Sequence, residues 1–212
     1  MTDFVDLSHT LETGMPIFPG DPTVTVVSAS SEPPWRLTDL RLGSHSGTHM
    51  DAASHLVADG RTIDQYPLER FVVDAYVVHL EAGPLAALEW DDLRGHVPAD
   101  LSGVAVLLHT GWDERWGGEE MGRHPYLTAG AARSLVDAGA TLVGTDALNV
   151  DGTDEPSTAA HEVLLGADVL IVENLTNLGA LAGGRTHRCA FVPLRLLGAD
   201  GSPVRAFAWA DA

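Results

Sequence analysis

Four side chains able to bind a divalent metal fall in one short window, His45-Ser46-Gly47-Thr48-His49-Met50-Asp51-Ala52-Ala53-Ser54-His55. Imidazole nitrogen and carboxylate oxygen suit a borderline divalent cation. The spacing restricts the backbone that could use them. On a straight strand His45 and His49 would share a face but lie ~13 Å apart, too far for one ion. A helix would bring positions i and i+4 together, but Ser-Gly-Thr is a poor helix interior. The chain is therefore expected to curl at Gly47, where glycine tolerates unusual dihedrals, with His49 and Asp51 projecting to one side. The competing reading is a polar loop with solvated histidines. Three histidines and an aspartate around one glycine favour a metal site.

Downstream candidates are weaker taken singly. Glu173 closes the apolar run Val169-Leu170-Ile171-Val172, and His161 sits on a helix expected to start at Ser157. In isolation each reads more readily as a surface residue. The acidic stretch Asp146, Asp151, Asp154 and Glu155 does not match an EF-hand and reads as a solvated loop, with a supporting role beside a metal as the alternative. Among aromatics, Phe18, Trp35 and Trp112 could meet a ring-bearing substrate or simply pack, and Phe18 and Trp112 are carried forward as substrate-binding candidates. Cys189 lies in the apolar run Cys189-Ala190-Phe191-Val192 and reads as a buried structural thiol.

Composition removes several classes of function. The net charge of −18 repels phosphate backbones and anionic membranes, so neither nucleic acid nor membrane is an expected partner. All 12 basic side chains are arginine, which excludes Schiff-base lysine chemistry and a P-loop lysine. A single cysteine excludes internal disulfides and cysteine-based zinc clusters. No apolar run approaches the ~20 residues of a membrane span. Met1-Thr2-Asp3-Phe4-Val5-Asp6 shows no basic segment followed by an apolar one, so a cytoplasmic protein is expected.

The elements that must position these groups are mostly strands. Runs at Thr23–Ser28, Arg36–Leu42, Val72–Leu80, Val104–His109, Thr141–Thr145, Val169–Val172, Ala190–Leu197 and Val204–Trp209 have strand character. Helices are expected at Leu85–Arg94, at Thr128–Asp137 with Thr128 as N-cap, and at Ser157–Leu165 with Ser157 as N-cap. Helices dispersed among strands predict a mixed α/β fold, and the 212 residues fit one domain.

At this point the chain resembles the cyclase family of metal-dependent hydrolases, which includes bacterial kynurenine formamidases and isatin hydrolases. The resemblance rests on Asp6-Leu7-Ser8-His9, Pro19-Gly20-Asp21, the His45/Gly47/Thr48/His49/Asp51/His55 motif, Thr110-Gly111-Trp112, Asp146, Asp151, His161, Glu173-Asn174-Leu175 and Asp200-Gly201-Ser202-Pro203-Val204-Arg205. It implies a swivelling β/β/α domain that assembles as a dimer or tetramer. It implies His45, His49 and Asp51 as ligands of a first metal, with Asp51 bridging to a second held by His161 and Glu173. His55 would be the general acid/base. Zinc is usual in the formamidases, and manganese occurs elsewhere. Two positions depart from the family pattern: Ala53 stands where proline is frequent, and Asn149 where serine is common.

The implied chemistry is metal-assisted hydrolysis of an acyl C–N bond. A divalent cation can lower the pKa of water from 15.7 to about 7, and a positioned acid/base contributes ~10²–10⁴ in rate. The leading reading is an arylformamidase acting on N-formylkynurenine or a similar formamide. A hydrolase of another cyclic amide, lactam or ester, as in isatin hydrolysis, is the second. A non-catalytic metal-binding protein is the third, and His55 argues against it, because a purely structural site needs no extra base.

Overall fold

The computed structural model describes residues 4–153 and 157–209. Met1–Asp3 and the acidic residues Asp154 and Glu155 lie outside the described residues. The strands are β1 (Phe4–Asp6), β2 (Thr25–Ala29), β3 (Leu37–Arg41), β4 (His49–Asp51), β5 (Val72–His79), β6 (Ala87–Leu88), β7 (Val104–His109), β8 (Tyr126–Leu127), β9 (Leu142–Thr145), β10 (Leu170–Glu173), β11 (Thr186–Pro193) and β12 (Gly201–Trp209). Three α-helices accompany them, α1 (Trp90–Leu93), α2 (Ala129–Asp137) and α3 (Ala159–Gly166).

The main sheet runs β1-β12-β11-β5-β7-β9-β10-β4, and β4 also pairs with β12. That extra pairing closes the strands from β12 round to β4 into a ring. Within it β5, β7, β9 and β10 are parallel, and β4 is antiparallel to both neighbours, with Asp51 opposite Ile171 on one side and Gly201 on the other.

The parallel strands β7, β9 and β10 are buried on both faces, which explains why their sequences read as continuous apolar runs rather than alternating ones. Leu107, Leu142, Leu170 and Val172 point into the ring, where they meet Met50, Cys189, Phe191, Ala206 and Ala208 from the opposing strands. Their alternates Val106, Leu108, Val143 and Ile171 point outward and pack beneath α2 and α3 on Ala131, Leu135, Leu164 and Leu165. The result is a β layer on a β layer with helices outside, the mixed α/β, β/β/α architecture expected from the sequence. Cys189 is fully buried, and burial pushes its thiol up to about 12, as a structural role requires.

Three local expectations need correction. The helix expected over Leu85–Arg94 shrinks to the single turn Trp90–Leu93. Leu85 adopts φ +59°, and Ala87–Leu88 pairs with β8 instead. Here tertiary pairing overrides helical periodicity. Thr158 rather than Ser157 is the N-cap residue of α3. The last two strands differ from the reading: β11 runs from Thr186 to Pro193, its polar start alternating with buried residues and its end short of Leu197, and β12 begins at Gly201, in a turn-like Gly-Ser-Pro stretch that is buried. Thr128 does cap α2, its hydroxyl accepting from the Ala131 N–H at 3.1 Å.

Candidate metal centre and cavity

The turn before β4 bends at Gly47, which has φ +63°. A Cβ there would lie 2.8 Å from Leu11 and 2.9 Å from Met15, so both dihedral and space require glycine. The bend turns His45 back toward the face of β4 that carries His49 and Asp51. His45 Nδ1 comes within 2.7 Å of Asp51 Oδ1, and His49 Nε2 within 3.4 Å of the same oxygen. Two further groups arrive from distant elements. Glu173, at the end of β10, stands opposite His49 in the ladder. His161 projects from the first turn of α3.

The far side of each imidazole is tied down. His49 Nδ1–H donates to the Gly47 carbonyl at 2.8 Å, and His161 Nδ1–H donates to Asp151 Oδ2 at 2.8 Å. Both Nε2 atoms therefore face Asp51 and Glu173. His49 Nε2 is 3.5 Å from Glu173 Oε2, while His161 Nε2 is 3.5 Å from Glu173 Oε1 and 3.4 Å from Asp51 Oδ2. Ligands bound tetrahedrally at about 2.1 Å from an ion sit about 3.4 Å from one another. These separations match co-ligands around a cation better than they match direct hydrogen bonds. Asp51 Oδ2 is buried and has no hydrogen-bond partner among the described residues, an arrangement that is costly unless something positive fills the gap. The donor set thus fits a divalent metal. It divides into His45/His49/Asp51 and Asp51/His161/Glu173, with the carboxylate of Asp51 common to both.

The electrostatics agree. Burial alone would lower the His49 and His161 pKa values, but Asp51 and Glu173 raise His49 to about 10, and Asp151, Asp51 and Glu173 raise His161 to about 11. In the metal-free protein, protons occupy the centre of positive charge. Burial opposes ionisation of Asp51, yet the surrounding histidines hold its carboxyl well below the usual range.

His55 follows in the 3-10 turn Ala53–His55, its ring centroid 4.1 Å from that of His45 and 5.9 Å from that of His161. Its Nδ1 lies 3.2 Å from Asp200 Oδ2, the same oxygen that His45 Nε2 approaches at 3.0 Å. An ionised carboxylate only accepts, so Nδ1 carries the proton and Nε2 of a neutral His55 is left as a base. Burial would raise the Asp200 pKa, but hydrogen bonds from His45, Ser44 and His55 hold it well below the ordinary carboxylate range.

These groups form the floor of a cavity of about 360 Å³. Pro16, Ile17, Phe18, Leu56 and Leu148 supply apolar walls, and Asn149, Ser157 and Thr158 supply polar ones. The volume lies within the usual small-molecule range.

The structure thus brings together His45, His49, Asp51, His55, His161 and Glu173, and it places Phe18 on the cavity wall. Trp112 is elsewhere. It is buried, donates Nε1–H to the Met121 carbonyl at 3.0 Å, and lies beneath the Arg115 guanidinium, the packing alternative weighed for it. The solvated-loop reading fails for Asp146 and Asp151, which are 3% and 1% exposed. Asp151 instead accepts from the N–H groups of Ala160 and His161 as well as the His161 ring, anchoring the start of α3. Asp200 joins the centre without any role having been read for it. It is 155 positions from His45, and no local spacing signals the contact.

Comparison with known proteins points the same way. The Cyclase family model, described as "Putative cyclase", matches residues 5–152. A protein named kynurenine formamidase from Salinibacter ruber is 32% identical over 213 residues, covering 95% of each chain. Another of that name from Paracidovorax citrulli is 31% identical over 210 residues, covering 95% of this chain and 94% of its own. The crystal structure of an isatin hydrolase bound to the product analogue thioisatinate superposes with a TM-score of 0.88 at 26% identity, covering 100% of this chain and 93% of that one. With a family model spanning most of its length and full-length relatives above 30% identity, the chain belongs to the cyclase family.

Proposed function

We propose that this chain is a metal-dependent hydrolase of an acyl C–N bond, acting on N-formylkynurenine or a similar aryl formamide. The observation that carries the reading is the convergence of His45, His49, Asp51, His161 and Glu173 at the floor of the cavity, with His55 free at one nitrogen beside them. Those five side chains would hold the metal, zinc or manganese, and the shared Asp51 carboxylate favours room for two ions. When bound, a divalent cation supplies Lewis acidity, polarising a carbonyl and making water more acidic.

The chain's own residues supply the rest. His55 Nε2 takes a proton from the attacking water and returns it to the departing amine nitrogen, which is a poor leaving group without that proton. Asp200 keeps His55 in the required tautomer by accepting from Nδ1, and it steadies His45 in the same way. Phe18, with Ile17 and Leu148, gives the aryl ring an apolar wall and excludes water from it. The whole chain acts as one domain in the cytoplasm, and among the described residues no helix is long and apolar enough to cross a membrane. We assign a homo-oligomeric state as well. The β2–β3 hairpin leaves Val27, Trp35, Leu37 and Leu40 exposed, and a second copy would cover them.

A second reading, hydrolysis of a cyclic amide, is favoured by the closeness of the fold to an isatin hydrolase. One experiment separates the readings. The protein is stripped of metal, refilled with zinc or manganese, and assayed against N-formylkynurenine, other formanilides, cyclic imides and isatin. Refilled protein should cleave the formamides fastest. His55→Ala should keep its metal and lose about two orders of magnitude or more in rate. Preference for isatin transfers the assignment to the second reading, and activity that survives His55→Ala removes the proton-transfer role. A full metal complement with no turnover of any substrate leaves the non-catalytic alternative.

A further inference from the structure

The carboxyl ends of the parallel strands carry a second group of chemically capable side chains that the proposed reaction does not use. His79 ends β5, His109 ends β7, and Asp146 follows β9. Asp113 reaches the same place from the 3-10 turn Trp112–Arg115. A ring nitrogen of His109 and carboxylate oxygens of Asp113 and Asp146 all lie within 4.8 Å of one another.

The hydrogen bonds around them fix which lone pairs remain. His79 Nε2 sits 2.9 Å from the Leu181 carbonyl, so it must carry a hydrogen. With the ring neutral, His79 Nδ1 is an acceptor. It faces His109 Nδ1 at 2.8 Å, so His109 must donate there and keep its own Nε2 as a bare lone pair. This relay, from carbonyl through one imidazole to the next, is the support that orients a metal-ligating histidine.

The two carboxylates are held in the same manner. Asp146 accepts at Oδ2 from the Thr110 and Gly111 N–H groups, and at Oδ1 from the Thr110 hydroxyl. Asp113 accepts at Oδ2 from the Thr176 hydroxyl and the Asn177 N–H, leaving Oδ1 without a hydrogen bond among the described residues. No arginine bonds to either carboxylate among the described residues. Asp146 is 3% exposed, and burial together with the nearby Asp113 charge pushes it up to about 6. Gly179 and Gly183 let the covering segment lie against the rings, since a Cβ on either would come within 3.3 Å of His109 or 3.0 Å of His79.

We propose that His109, Asp113 and Asp146 form a second divalent-cation site, separate from the centre on β4, β10 and α3, with His79 as the residue that orients His109. One imidazole and two carboxylates suit zinc or manganese rather than calcium or magnesium. The site ties the loops after β7 and β9 to the Thr176–Asn177 segment, and the loop after β9 continues into Leu148 and Asn149 of the cavity wall. This inference does not depend on which amide the catalytic centre cleaves.

The test uses the full chain and manganese alone. Wild type and a His109→Gln/Asp113→Asn double variant are dialysed against Mn²⁺ at a free concentration that saturates the β4 centre, and bound metal is counted per chain. The variant should hold one equivalent fewer. Crystals of the wild type grown at that concentration should show an anomalous peak between His109, Asp113 and Asp146, in addition to density at Asp51. Equal stoichiometry in the two proteins overturns the proposal. So does a wild-type map with anomalous density only at the β4 centre, and that second readout stands even if the variant does not fold.

Discussion

Loading metal onto the stripped protein should expel protons, and the structure fixes how many. His49, raised to about 10, and His161, raised to about 11, are both almost fully protonated near neutral pH. A metal-ligating imidazole must surrender the proton on its coordinating nitrogen. Asp51 is held well below the usual carboxylate range, so it contributes no proton of its own. Two protons should therefore leave per loaded centre, and His45, whose pKa is also raised, adds part of a third toward the acid end. Each proton displaced costs about 1.4 kcal/mol per pH unit, so the apparent Kd should tighten about 100-fold per unit between roughly pH 7 and 9. Isothermal titration of zinc into metal-free protein, repeated in buffers of different ionisation enthalpy, counts the protons directly. The opposite trend should hold for stability without metal. Because both histidines have folded values above 6.5, the stability they contribute is complete below pH 6.5 and is lost as pH rises through about 10 to 11. A pH-independent Kd with no proton release would show that these imidazoles are neutral in the free protein, and the electrostatic account of the centre would fail.

Other perturbations separate the parts. Asp51→Ala removes the carboxylate common to both halves of the centre, and elemental analysis should find the metal gone. Asp200→Asn leaves the ligand set in place but weakens the hold on His45 and His55. Metal affinity should fall about 10- to 100-fold by competition with a chelator, and kcat should fall with it. Gly47→Ala forces a side chain into a left-handed conformation against Leu11 and Met15, so urea denaturation should report a loss of about 2–4 kcal/mol.

What the sequence discloses is what the backbone encodes locally. The bend at Gly47 follows from asking how His45 and His49 could reach one ion. Glu173 stands out because a charge ends a four-residue apolar run. Asp200 could not be found this way, since it meets His45 only when β12 closes onto β4. His79 and His109 are hidden for a related reason. His109 reads as the last residue of an apolar strand and His79 as the next to last of another, and their contact exists only because β5 and β7 pair in parallel with His79 opposite His109. The shortened helix near Leu85 shows the same limit, its periodicity overruled by a partner strand some forty positions on.

The three residues of β4 join the two ends of the ring, and they include both His49 and Asp51. Building the barrel and assembling the ligands are thus one event, and an insertion between 47 and 52 cannot alter the second without undoing the first. Pro16, Ile17, Phe18, Leu148, Asn149 and Gly152 lie outside that strand and supply much of the remaining cavity wall. New substrate preferences should therefore be sought by diversifying those positions while β4 is left untouched.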